Sequence, residues 1–336
     1  MTPTATGAAF SLVTATLWAI SPVIMASAAR RIGAQNVNLL RVAIASGFFL
    51  LLLPIYALFI KGSIAPPAPI AVWHLLLSSV TGMVVGDFFY YETLVLMGPR
   101  RAVQMNTLAP VASVIFAWLW LGERLSTPAL CGIALVLGSI SYATWIDRKP
   151  RENSREPGHV TGKGVACGLA AAACIGLGAV FTRRAFQSDA SLDSILAALI
   201  RVGSAAAMLW MIPLVRGDVV RTASHLLEPS VRLRLVSGTA TGAFGGLLFY
   251  VMAFKYAPAG VVSTLAAMSP LLVIPIVSLR YRTWIATPIV IATVTAIAGV
   301  ALIVWKPEVS RAEVPQAAPT TTAPSTERPS TRPGGP

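Results

Sequence analysis

The stretch AVQMNTLAPVASVIFAWLWLGERLS, residues 102–126, decides the fold: an apolar span with a proline inside it, closed by a short charged turn. Its frame returns later in the chain. Counting 160 residues forward carries Pro110 onto Pro270, Thr127-Pro128 onto Thr287-Pro288, Gly86 onto Gly246, Phe89-Tyr90 onto Phe249-Tyr250 and Arg41 onto Arg201. One ungapped offset therefore links both halves, and a repeat this long holds several helices.

Composition says what those helices face. The 336 residues are 55% hydrophobic and only 12% charged, with a mean hydropathy of +0.72. Soluble domains carry about twice that share of charge. The charged residues cluster between apolar runs of about 20 residues, the length that crosses a ~30 Å hydrocarbon core as helix. The fold class is an all-α polytopic membrane protein.

The net charge of +13 does not point to nucleic acid. Basic residues gather at span ends and in loops, as at Arg148, Lys149, Arg151 and Arg155, where they meet anionic headgroups of the lipid bilayer and fix topology. No basic helix or recognition motif accompanies them. No nucleotide-binding motif is present either, so ATP is not expected to drive the protein. Cys131, Cys167 and Cys174 lie in apolar runs without metal-ligand spacing and read as small buried hydrophobes. Neither a metal nor a cofactor is expected.

Ten spans are expected, at residues 8–29, 37–60, 71–96, 102–121, 128–146, 164–185, 194–215, 233–256, 260–279 and 288–305. The first is read as a transmembrane helix despite the small-residue run Met25-Ala26-Ser27-Ala28, because Met1 to Gly7 lacks the basic residues of a signal peptide. Residues 1–146 then form a first five-helix repeat, 147–163 a polar connecting loop, 164–305 a second five-helix repeat, and 306–336 a Pro/Thr-rich tail whose composition predicts disorder. Five helices per half is an odd number. Halves of the same fold must then insert in opposite directions, giving an inverted repeat suited to alternating access.

The segment Met105 to Pro110, the turn Gly122-Glu123-Arg124-Leu125-Ser126 and the following span with Gly132 and Gly138 resemble the EamA family of the drug/metabolite transporter (DMT) superfamily. That family's half-repeat has an arginine early in its second helix, a small-residue-rich fourth helix with a central proline, and a glycine-glutamate-arginine-leucine turn. Arg41, Pro110 and Gly122 to Leu125 match these positions, and the resemblance covers residues 8–305. It implies a multi-pass secondary transporter of the inner cell membrane that exports small polar or amphipathic metabolites, amino-acid-like compounds foremost, and is not an enzyme. Proton or cation coupling is compatible with it. A lipid flippase or scramblase sharing the fold is the alternative. A membrane-embedded lipid-modifying enzyme is a weaker one, since no converging set of histidines, acids or metal ligands accompanies the spans.

The chain departs from the family pattern in places. Thr283 stands in the second repeat where the turn's glutamate would be, Trp18-Ala19 replaces the usual tryptophan-glycine, and no carboxylate lies in the first span. The membrane glutamate that couples small multidrug members to protons thus has no match.

Asp87 and Glu92 are the acids well inside a predicted span, where a carboxylate is costly and faces a cavity or a partner. At helical rise Asp87 lies about 15 Å from the nearer end. It reads as a coupling site, as a ligand for a substrate amine, or as an acid bonded to a neighbouring helix. Glu92 lies at a depth similar to Arg41, and an Arg41–Glu92 ion pair is expected because a paired buried charge is far cheaper than a lone one. Arg201 meets Leu247 and Met252 where the first half has those acids. It either snorkels to the interface or faces the cavity and suits an anionic group. Pro110 and Pro270 each remove a helical N–H, leaving the carbonyls of Asn106 and Ala266 to find other partners. With Gln104, they make the fourth span the expected cavity lining, the alternative being kinks for packing alone. Tyr90 and Tyr250 line the pathway or anchor in the interface.

Orientation is read two ways. The family places both termini in the cytoplasm, whereas the loops after odd-numbered spans carry more Lys and Arg than the opposite side, which favours external termini.

Overall fold

The computed structural model describes residues 2–97, 102, 105–146, 161–269, 271–272, 287–305 and 310–311. The chain is helical almost throughout them. Helix α1 spans Pro3–Ile32 and α2 Ala34–Tyr56, separated only by Gly33 at φ 84°. Helix α3 (Pro69–Ser78) runs through a π-helical segment, Ser79–Gly86, into α4 (Asp87–Met97). Helix α5 (Ala109–Leu121) stops at Gly122, φ 64°, a left-handed cap that glycine adopts without a Cβ clash. Then come β1 (Glu123–Arg124) and α6 (Thr127–Ile146).

The second half repeats this plan. Helix α7 (Gly162–Ser188) starts at Thr161, whose hydroxyl accepts the Gly164 N–H. Helix α8 (Ser194–Arg216) is capped by Asp193, which accepts from the Ile195 and Leu196 N–H groups. After the short α9 (Val219–Ser224), α10 (Pro229–Thr239) passes through a π-helical segment, Ala240–Gly246, into α11 (Leu247–Tyr256), the third such segment after Ala57–Lys61 at the end of the second span and Ser79–Gly86. Helices α12 (Ala259–Ala266) and α13 (Thr287–Trp305) follow. The strand β2 (Ser310–Arg311) pairs antiparallel with β1.

Among the described residues, six helical stretches are long and apolar enough to cross a membrane: Pro3–Ser21, Gln35–Lys61, Pro69–Tyr90, Gly162–Ser188, Ser194–Arg216 and Pro229–Tyr256. Shorter apolar helices occupy Ala109–Leu121, Thr127–Tyr142 and Val290–Ile303. The molecule is a polytopic helical membrane protein, and large side chains exposed on its outer surface, such as Leu50, Leu51, Leu58 and Phe59 on the second span, are in contact with lipid rather than water. Cys131 belongs to this outer surface, contrary to the expectation that all three cysteines are buried; of the three, Cys167 is buried and Cys174 half-buried. Helix α6 packs elsewhere, through glycine. A Cβ on Gly299 of α13 would sit 2.7 Å from the Gly132 carbonyl oxygen, so these two backbones touch where side chains would normally intervene.

The fourth span differs from expectation in a way that matters for the site. It is not one helix kinked at Pro110. A turn at Thr107–Leu108 interrupts it, and Pro110 sits in the first turn of α5, where its missing N–H costs nothing. The same offset of 160 carries that turn onto Ala267–Met268, which is also a turn after α12. Pro270 and Gln104 lie outside the described residues, as do the connecting loop and the tail apart from 161–163 and 310–311.

Two of the π-helical segments repeat as well. Ser79–Gly86 and Ala240–Gly246 fall in register under the offset, and each is packed against a helix of the other half. Ser21, Trp18 and Thr14, on one face of α1, donate to the carbonyls of Gly238 (2.8 Å), Gly242 (3.2 Å) and Gly246 (3.2 Å). In the first half Ser78 donates to the Gly178 carbonyl at 2.6 Å, and Gly178 and Gly82 pack backbone to backbone.

Candidate functional site

Helix α7 serves as a depth gauge. Gly86 packs against Ile175, which stands at the centre of Gly162–Ser188, so the following residue, Asp87, lies near mid-depth. Here the wide π turn ends and the α-helix resumes. Such π-helical irregularities cluster at functional sites because they displace the side chains that follow.

Asp87 is paired with Arg41, not left to a ligand alone. Arg41 Nη2 lies 3.7 Å from Asp87 Oδ2 and donates to Asn38 Oδ1 at 2.7 Å. The two side chains are 31% and 24% exposed, so the pair is only partly covered by its neighbours. The expected Arg41–Glu92 pair is thereby corrected. Glu92 comes five residues after Asp87, which rotates it about 140° around the helix, so similar depth does not bring it to the same partner.

Arg201 is buried, 5% exposed, and does not snorkel. Its guanidinium carbon lies 5.6 Å from the centre of the Tyr250 ring, a cation–π distance. Its backbone carbonyl accepts the Ser79 hydroxyl at 2.8 Å, which ties it to the first-half π segment. Asp87 acts electrostatically on both Arg41 and Arg201. Tyr250 is itself buried, packed between a tilted Trp18 ring (4.9 Å) and an edge-on Phe254 ring (4.7 Å), and so is not an interface anchor. Tyr90 is half-buried on α4. Asn106 lies at the interrupted fourth span with a buried, unpartnered Oδ1, and its repeat counterpart Ala266 is 2% exposed. Pro110 is buried beside them in sequence, at the start of α5.

A second polar cluster was not foreseen. Glu123, from the Gly-Glu-Arg-Leu turn, accepts from Arg183 Nε (3.1 Å) on α7 and from the Ala259 N–H (3.1 Å) at the start of α12. Arg183 Nη1 also donates to the Phe254 carbonyl at 2.6 Å. Beside it, at the same end of α7, Lys61 Nζ meets Asp193 Oδ2 at 2.7 Å and the Ala68 N–H donates to Asp189 at 2.9 Å. Apart from the Arg183–Phe254 bond, each of these contacts joins the first half to the second. The signal available in the sequence was the turn's glutamate itself, which demands a cation at the same membrane face; Arg183 stands there.

Known proteins bear on this arrangement in two ways. A solved crystal structure of a protein superposes with a TM-score of 0.67 at 17% identity, covering 90% of this chain and 97% of the other, a likeness of fold alone. No curated protein sequence matches the chain. The model of the EamA-like transporter family matches twice, at residues 5–145 and 162–305, once for each half of the 160-residue offset. With both repeats matched over most of its length, the chain belongs to the EamA-like transporter family.

Proposed function

We propose that the protein is a ten-helix secondary transporter of the inner cell membrane, exporting small polar or amphipathic metabolites of amino-acid type by alternating access between inverted five-helix halves. The observation that carries this reading is the polar centre of Arg41, Asp87 and Arg201, drawn from both halves and set at mid-depth in an apolar bundle. Inversion is supported by helix direction. The C-terminal end of the second span, at Lys61, meets the N-terminal end of α8, at Asp193, so these repeat-related helices run opposite ways. Interrupted helices at Thr107–Leu108 and Ala267–Met268 suit a central binding site, where irregular backbone offers polar groups to a ligand. Asp87 is the coupling residue of this mechanism, releasing or gripping Arg41 as its charge changes.

The test compares metabolites outside cells overproducing the protein with those outside cells overproducing Asp87→Asn. The wild type enriches a defined set, and the variant loses that enrichment or its dependence on external pH. An identical metabolite profile for wild type and empty vector would sink the exporter reading.

A further inference from the structure

Arg201 differs from every other charged side chain described. It is 5% exposed, yet its Nε and Nη1 atoms are buried with no hydrogen-bond partner. Its repeat counterpart Arg41 has an acid and an amide as partners, pairing with Asp87 and donating to Asn38, and only its Nε is buried without a partner. Among the described residues Asp87 is the one acid acting on Arg201, and it is already engaged by Arg41. Two guanidinium groups therefore share one carboxylate, which leaves one positive charge in excess among these three side chains. Leaving such a charge unpaired is strongly unfavourable, and a residue kept only for packing would be apolar.

We infer that the Arg201 guanidinium receives the carboxylate of the transported molecule, with the Tyr250 ring fixing the guanidinium plane. The inference rests on the transport reading above and names its substrate class: small monocarboxylates, zwitterionic amino acids among them. A single negative charge balances the excess. A phosphate dianion would overshoot it, and a neutral or purely cationic substrate would leave it standing. Arginine favours carboxylates over other single anions through paired N–H donors held in one plane. Tyr250, packed on Trp18, adds an aromatic wall, which suits an amphipathic body attached to the acid group.

Proteoliposomes loaded with the standard amino acids, their carboxamide counterparts and inorganic phosphate test this by mass spectrometry of what leaves. Wild-type vesicles lose one or more free amino acids and keep the matching amides and phosphate. Arg201→Met slows that loss by about thirtyfold or more, as removal of a buried charge partner does. A second readout needs no turnover: in detergent without substrate, Arg201→Met melts above wild type, because it removes an unpaired buried charge, whereas an arginine with a structural role gives a lower melting temperature on replacement. Amides leaving as fast as acids, phosphate leaving alone, efflux persisting in Arg201→Met, or a lowered melting temperature overturns the carboxylate site while leaving transport intact. If nothing leaves any vesicle, the transport reading falls with it.

Discussion

The two ends of the bundle are built differently. At the end where α7 finishes, Glu123 is 6% exposed and gripped by Arg183 and the Ala259 N–H, Asp193 is 6% exposed and bonded to Lys61, and Phe254, Ala257 and Ala259 are fully buried around them. At the opposite end Arg31 pairs with Glu228 on the surface, the two side chains 55% and 45% exposed. Beside that pair a cavity of about 350 Å³ opens among Arg31, Asn36, Asp218, Arg221 and His225. Both ends are cross-bonded between the halves, one through buried pairs and the other through exposed groups beside an open cavity. The difference teaches that buried polar pairs lock the two halves together at one end, while an exposed pair joins them at the other.

Breaking the buried lock gives the largest effect. Glu123→Ala strands Arg183, which is only 17% exposed, and removing one partner of a buried pair costs about 3–5 kcal/mol; a lowered melting temperature and faster labelling of a cysteine placed at Ala257 are the expected readouts. The pH response of the same residue has a definite sign. Burial pushes the Glu123 carboxyl above its ordinary 4.5, against the opposing pull of Arg183. The locked state therefore binds a proton more readily than a state with Glu123 exposed, and the lock tightens as pH falls toward and through that raised value, rather than opening. Glu123→Gln removes this dependence, so its melting temperature changes less than the wild type's between neutral and mildly acid pH; equal slopes would refute the assignment.

Asp193→Ala comes next. Burial raises the Asp193 carboxyl, but Lys61 and the two capping N–H groups hold it below the ordinary 3.8, so its contribution is complete above that value and lost only in stronger acid. Losing the cap and the pair together costs about 1–2 kcal/mol, measurable by thermal unfolding at neutral pH. Arg31→Ala sharpens the contrast from the other side. An exposed pair is worth about 0–1 kcal/mol, so the melting temperature should hardly move, and a drop as large as that of Glu123→Ala would show that the two ends are equally locked.

Much of this plan was legible in the chain because a repeat prints its geometry twice. The offset that joins Pro110 to Pro270 paired the two halves and helical rise set the depth of Asp87, but the interruptions at Thr107–Leu108 and Ala267–Met268 were not foreseen, since a proline inside an apolar run reads as a kink. What escaped was rotation and long-range pairing. Depth cannot tell Asp87 from Glu92 as the partner of Arg41, since the choice lies in the angle around the helix axis. Arg183 is 60 residues from Glu123, and no local pattern links them. The π-helical segments left no trace because Ser79–Gly86 and Ala240–Gly246 are mostly apolar or glycine, interrupted only by Ser79, Thr81 and Thr241, with no amphipathic stripe to reveal a changed number of residues per turn.

Those segments carry a mechanical corollary. A π turn accommodates an extra residue relative to an α turn, so moving or erasing it screws the remainder of the helix by about 100°. Applied to Ser79–Gly86, that twist would swing Asp87 off Arg41 without unfolding a single turn, and its twin at Ala240–Gly246 would carry Tyr250 away from Arg201. Each half thus holds its own coiled slack, a length of helix able to ratchet the central charges while its ends stay anchored.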